Sequence, residues 1–149
     1  MLNFATILDK VVSHAASLGV FDSVQAYESV SSPDNTVDCN IWLDTIFPIT
    51  GGLDQTSVCM VFNVSILASL LSEPYDETDT KMVNALDALM SAYNGDFTLG
   101  DTIRNVDILG QFTEGLRVTA EYARIDGTVY RAMSVSLPLL VDGVWEQNE

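Results

Sequence analysis

The chain reads as a single α+β domain whose sheet is largely antiparallel and flanked by helices. Three observations predict it. Apolar residues recur at helical spacing at the start and in the middle of the chain. Two stretches between Val37 and Ile66 alternate apolar with polar residues, and Asp126-Gly127 stands between two further alternating runs. At 149 residues the length fits one domain, 1–149, with an extended C-terminal tail over 141–149.

Phe4, Ile7, Leu8, Val11, Ala15 and Leu18 form the stripe of a first amphipathic helix, and Gly19 is its stop. Asp22 to Val30 alternates weakly and reads as a strand, closed by the turn cluster Ser31-Ser32-Pro33-Asp34-Asn35. In the next strand Val37, Cys39, Ile41, Leu43 and Phe47 share the core parity, while Asp38, Asn40 and Asp44 face away. A loop from Thr50 to Gln55 follows. Then Val58, Met60, Phe62, Val64 and Ile66 form a second core face, with Cys59 on the polar side. The two strands are expected to pair antiparallel. Cys39 and Cys59 then point to opposite sides of the sheet, which forbids a disulfide between them.

Asp76, Glu77 and Asp79 supply caps and first-turn acids for a helix carrying Met82, Val83, Leu86, Leu89, Met90 and Tyr93, which Asn94-Gly95 ends. Leu116 to Ile125 and Thr128 to Leu137 flank the hairpin turn. Pairing across it sets Val118, Ala120 and Tyr122 opposite Val135, Met133 and Arg131.

The chain holds 21 acidic and 6 basic residues and one His, for a net charge of −15 with 48% hydrophobic residues. Enough apolar residue is present to fold, so the charge belongs on the surface. Such a surface repels phosphate backbones and anionic membranes. No apolar run is long enough to span a bilayer and no secretory leader is visible, so the expectation is a soluble protein made in a cytoplasm. His14, on the edge of the first helix stripe, reads as a packing residue because no second His or Cys can join it. The Asp76, Glu77, Asp79 cluster lacks the spacing of a calcium loop, and no phosphate-loop, zinc or nucleophile motif is present. The reading therefore assigns no catalytic, cofactor or metal residue.

Ser91-Ala92-Tyr93-Asn94-Gly95-Asp96-Phe97-Thr98-Leu99-Gly100-Asp101-Thr102-Ile103-Arg104-Asn105-Val106-Asp107-Ile108-Leu109-Gly110, the Ile125-Asp126-Gly127 hairpin and the closing Pro138-Leu139-Leu140-Val141-Asp142 resemble the tail terminator proteins of long-tailed phages that infect actinobacteria. The resemblance covers the last two thirds of the chain well and the first helix by pattern. It implies a virion structural protein without catalysis. Such proteins form a homo-hexameric ring that caps the head-proximal end of the tail tube and stops its polymerisation. The ring meets the connector or stopper on the head side, and DNA passes through its lumen without specific binding.

A ring needs two unlike surfaces on each subunit. The residues expected to contact neighbours are Gly51 and Gly52 in the 50–55 loop, Arg124, Asp126 and Arg131 at the hairpin, and Trp145 in the tail. Competing readings are another neck or tail-tube component and, from different classes, an acidic hydrolase with a tuned carboxylate pair or a nucleic-acid mimic.

Overall fold

The structure, a computed structural model, describes residues 2–26, 37–50, 55–69, 78–100, 102–125 and 127–146. The expected turn at 31–35, the capping acids Asp76 and Glu77, and three expected contact residues, Gly51, Gly52 and Asp126, lie outside the described residues.

Helix α1 (Phe4–Ser17) turns Ile7, Val11 and Ala15 inward, four residues apart on one face. Gly19 follows at φ +68°, the left-handed stop that glycine adopts without strain. Strand β1 (Ser23–Gln25) lies within the expected Asp22–Val30 strand, of which residues 27–30 are outside the described residues. It runs parallel to β2 (Val37–Thr50), so the sheet is mixed and only its other pairings are antiparallel. Strand β3 (Gln55–Ser69) pairs with β2, and helix α2 (Thr78–Gly95) follows. In α2 the inward residues are Met82, Ala85, Leu86, Leu89 and Tyr93. Val83, expected in the stripe, is 48% exposed, because Ala85 holds the position three residues after Met82.

The short β4 (Asn105–Val106) and the hairpin of β5 (Arg117–Ile125) and β6 (Thr128–Glu146) complete a curled six-stranded sheet. Its order is β1-β2-β3-β6-β4, with β5 also on β6. Hairpin register is as the turn predicts: Val118 faces Val135, Ala120 faces Met133 and Tyr122 faces Arg131. The strand continues through Pro138. This residue sits where the outer neighbour of β6 changes from β5, last paired at Ser136, to β4, first paired at Leu139, so its missing N–H breaks no ladder bond.

Residues 141–146, expected in an extended tail, belong to β6. Val58 faces Val141 and Thr56 faces Trp145, so Ser57 alone spans three residues of β6, and this bulge returns Val144 to the core.

Helices α1 and α2 cover one face of the sheet. Val11, Met82, Leu89 and Tyr93 pack there on Ile41, Phe62, Val64, Val135 and Leu137, all fully buried. Each large apolar side chain so buried contributes about 1.5–3 kcal/mol relative to exposure.

One core assignment is overturned. The β2–β3 ladder skips Asp44: Leu43 faces Phe62, and Thr45 already faces Val61. The extra residue inverts the alternation beyond it, so Ile46 rather than Phe47 stands opposite Met60. Phe47 and Ile49 turn to the face away from the helices. There they join Cys59, Val61, Leu140 and Phe112 in a small second cluster. Cys59 is therefore on the side opposite Cys39, as expected, but it is buried in apolar company instead of lying on a polar surface.

Candidate functional site

The face of the sheet away from α1 and α2 divides, among the described residues, into two parts. Its apolar end holds the second cluster and is covered by the loop from Asp107 to Gly115. Its other end is a polar groove. Strand registers line up Gln25, Asn40, Ser65, Ser134 and Thr119 as one row across five strands, beside a second row of Trp42, Asn63, Ser136 and Arg117. Glu121 and Arg124 of β5 complete a hollow of about 230 Å³ against Asn40, Trp42, Asn63 and Ser65.

Asn40 is 1% exposed, and both its amide nitrogen and its amide oxygen have no hydrogen-bond partner among the described residues. The Asn63 side-chain oxygen is likewise unpartnered, while the Ser134 hydroxyl donates to Glu121 at 2.6 Å. A buried amide left unpaired costs about 1–3 kcal/mol, so the groove is poorly suited to stability alone. Chemically it offers two acceptor oxygens and one amide NH2 to a group entering it.

The covering loop is held from within. The Asp107 carboxylate accepts the backbone N–H groups of Gln111 (2.5 Å), Phe112 (3.0 Å) and Thr113 (3.0 Å), and the Thr113 hydroxyl at 3.0 Å. Burial would raise the Asp107 pKa, but the donors from Phe112, Gln111 and Thr113 outweigh it and hold the carboxyl below the usual aspartate range. Gly110 at φ +86° and Gly115 at φ +87° shape the loop. A Cβ on Gly110 would lie 2.7 Å from the Thr113 carbonyl oxygen, and one on Gly115 would lie 2.8 Å from that of Ile108. The loop presents Leu109, 97% exposed, at its tip.

Beside this loop Arg104 pairs with Asp142 at the β6 bulge. The Arg104 guanidinium also donates to the Ser57 hydroxyl at 3.1 Å, and that hydroxyl donates to Asp142 at 3.0 Å. The Arg104 hydrogen bond is the main cause holding the Asp142 carboxyl below its usual range; burial opposes it and Ser57 assists.

Of the expected contact residues, Arg124 lines the groove. The Arg131 guanidinium lies over the Tyr122 ring at 4.7 Å and donates to the Glu121 carbonyl, so it is engaged within its own hairpin. Trp145 is placed in β6 opposite Thr56. The structure therefore does not bring Arg124, Arg131 and Trp145 together. The rows centred on Asn40 and Asn63 escaped sequence reading, because only the registers of five strands align them. Asp107 had a weak signal, an aspartate ahead of Gly110 and Thr113.

His14 stacks on Tyr93 at 5.3 Å, and burial lowers its proton affinity against the opposing pull of Asp96 and the Ala92 carbonyl, in keeping with a packing role. Among the described residues no cluster of His, Cys, Asp and Glu could hold a metal ion, and no helix is long and apolar enough to cross a membrane. No protein-family model matches the chain, and no curated protein matches it.

Proposed function

We propose that this is a virion structural protein of a long-tailed phage, a tail terminator. Its hexameric ring caps the head-proximal end of the tail tube, stops polymerisation and meets the head-side connector while DNA passes through the lumen. It acts by assembly and not by catalysis. The observation that carries the reading is the unlikeness of the two faces of the sheet: one sealed by both helices, the other open as a polar groove beside a rigid protruding loop. A subunit that joins head to tail into a closed ring needs two such dissimilar surfaces.

Two further features support it. The segment resembling the family's connector is a built turn, in which the Asp96 carboxylate accepts the Gly100 N–H at 3.0 Å and Gly100 adopts φ +68°. The charge also divides unevenly: residues 1–100 carry 13 acids and 2 bases, and the remainder 8 and 4, or −11 and −4. An acidic lumen lets DNA slide past without adhering.

The test is native mass spectrometry of the protein alone and with polymerised tail-tube protein, together with electron microscopy of the tube ends. The expected species is a ring of six 16.2 kDa subunits seated on one tube end and blocking growth there. A chain that stays monomeric and leaves tube growth unaffected overturns the proposal.

A further inference from the structure

We infer that neighbouring subunits are joined by the tip of the 107–115 loop of one copy entering the Asn40–Asn63 groove of the next. The inference rests on the ring reading and supplies its joint.

Among the described residues the groove supplies no donor to the oxygens of Asn40 and Asn63 and no acceptor to the Asn40 amide NH2. A glutamine side chain offers two N–H donors and one carbonyl oxygen in a single plane. Gln111 stands exposed on the loop, two residues from the 97% exposed Leu109. The amide of Gln111 matches the unpaired groups, and Leu109 meets Trp42 on the groove wall.

Charge selects the same two surfaces. Copies that each carry −15 repel one another wherever acidic patches face. Leu109, Gly110 and Gln111 are uncharged, the groove's Glu121 and Arg124 offset each other, and Arg117 of the second row is paired with Glu114 of the loop. A neutral tip entering a neutral groove is a contact this chain can make with itself.

Preorganisation favours the loop as the inserted part. Asp107 ties the backbone of Gln111, Phe112 and Thr113, so little conformational freedom remains to be lost on docking. The joint is heterologous, because each copy contributes one tip and one groove, and such joints close into rings when the rotation allows.

The experiment compares wild type, Asn40→Val, Leu109→Ser and an equimolar mixture of the two variants by native mass spectrometry and mass photometry, with thermal unfolding of wild type and each variant at a dilution where all are monomeric, so that loss of association does not itself shift the midpoint. Asn40→Val is expected to lose the ring while raising the unfolding midpoint, since it removes an unpaired buried amide. Leu109→Ser loses the ring with its midpoint unchanged. The mixture forms one-to-one heterodimers and nothing larger, because Asn40→Val keeps its tip and Leu109→Ser keeps its groove. The inference is overturned if either variant still forms rings as wild type does, if the mixture stays monomeric, or if Asn40→Val lowers the midpoint. Wild type that forms no ring, alone or on tube ends, overturns the tail-terminator reading and this joint with it; rings in wild type and variants alike overturn the joint alone.

Discussion

Asp107, a residue 3% exposed in the loop that covers the apolar end of the sheet face, accepts the backbone N–H of Gln111 on its carboxylate at 2.5 Å at the base of the loop tip. Three further donors share that carboxylate. Hydrogen bonds to a charged group contribute about 1.5–3 kcal/mol each at most and are not additive. Asp107→Ala, which leaves three loop amides without their acceptor, is therefore expected to cost about 3 kcal/mol in urea unfolding. Asp107→Asn keeps one acceptor oxygen and should cost about half as much.

The same carboxyl sets a pH dependence. Its folded pKa lies below the roughly 3.9 of an unfolded aspartate. Its stabilisation is thus complete above that unfolded value and is lost as pH falls through the folded one. The stability difference between wild type and Asp107→Asn should stay constant from about pH 7 to pH 5 and shrink below about pH 4. Comparing the two proteins cancels the general relief of acidic repulsion, which acts on both. A difference that grows on acidification would contradict the assignment.

Gly110 and Gly127 both have positive φ, +86° and +79°, but only Gly110 is crowded, with the Thr113 carbonyl oxygen 2.7 Å from where a Cβ would stand. Gly127→Ala should therefore cost about 1 kcal/mol for the left-handed backbone alone. Gly110→Ala adds a backbone clash and should cost at least about 2 kcal/mol, with the same ranking in hydrogen-exchange protection of the loop amides.

How much of this was readable in advance depended on the range of the interaction. The α1 stripe of Ile7, Val11 and Ala15 and the Tyr122–Arg131 register are local, set by helical spacing and by a two-residue turn, and both stand as expected. The flip at Phe47 was not readable. A bulge is an excess of one residue relative to a partner strand, and nothing around Asp44 marks which residue will be left over. The Arg104–Asp142–Ser57 contact joins three distant parts of the chain, and the Asn40 row needs five registers at once. Deleting Asp44 makes the point testable. Without the extra residue Leu43–Phe62, Thr45–Val61 and Ile46–Met60 run on as a regular ladder with every other side chain on its present face, so the variant should keep a cooperative unfolding transition, whereas loss of that transition would contradict the bulge assignment.

The two thiols are a last consequence of the two-faced sheet. Cys39 is fully buried on the helix side, and burial, helped by Asp38, pushes its pKa up to about 12. Cys59 is fully buried on the other side, and burial, helped by Asp107, pushes its pKa up to about 11. Only the thiolate attacks a disulfide reagent, so neither cysteine should react with Ellman's reagent at about pH 8 in the native protein. Both should react at once in concentrated urea. Asp107→Ala loosens the loop that carries Phe112 over Cys59, so in that variant Cys59 should gain reactivity while Cys39 stays silent. Equal exposure of both thiols would mean that the loop and the helix-covered core open together.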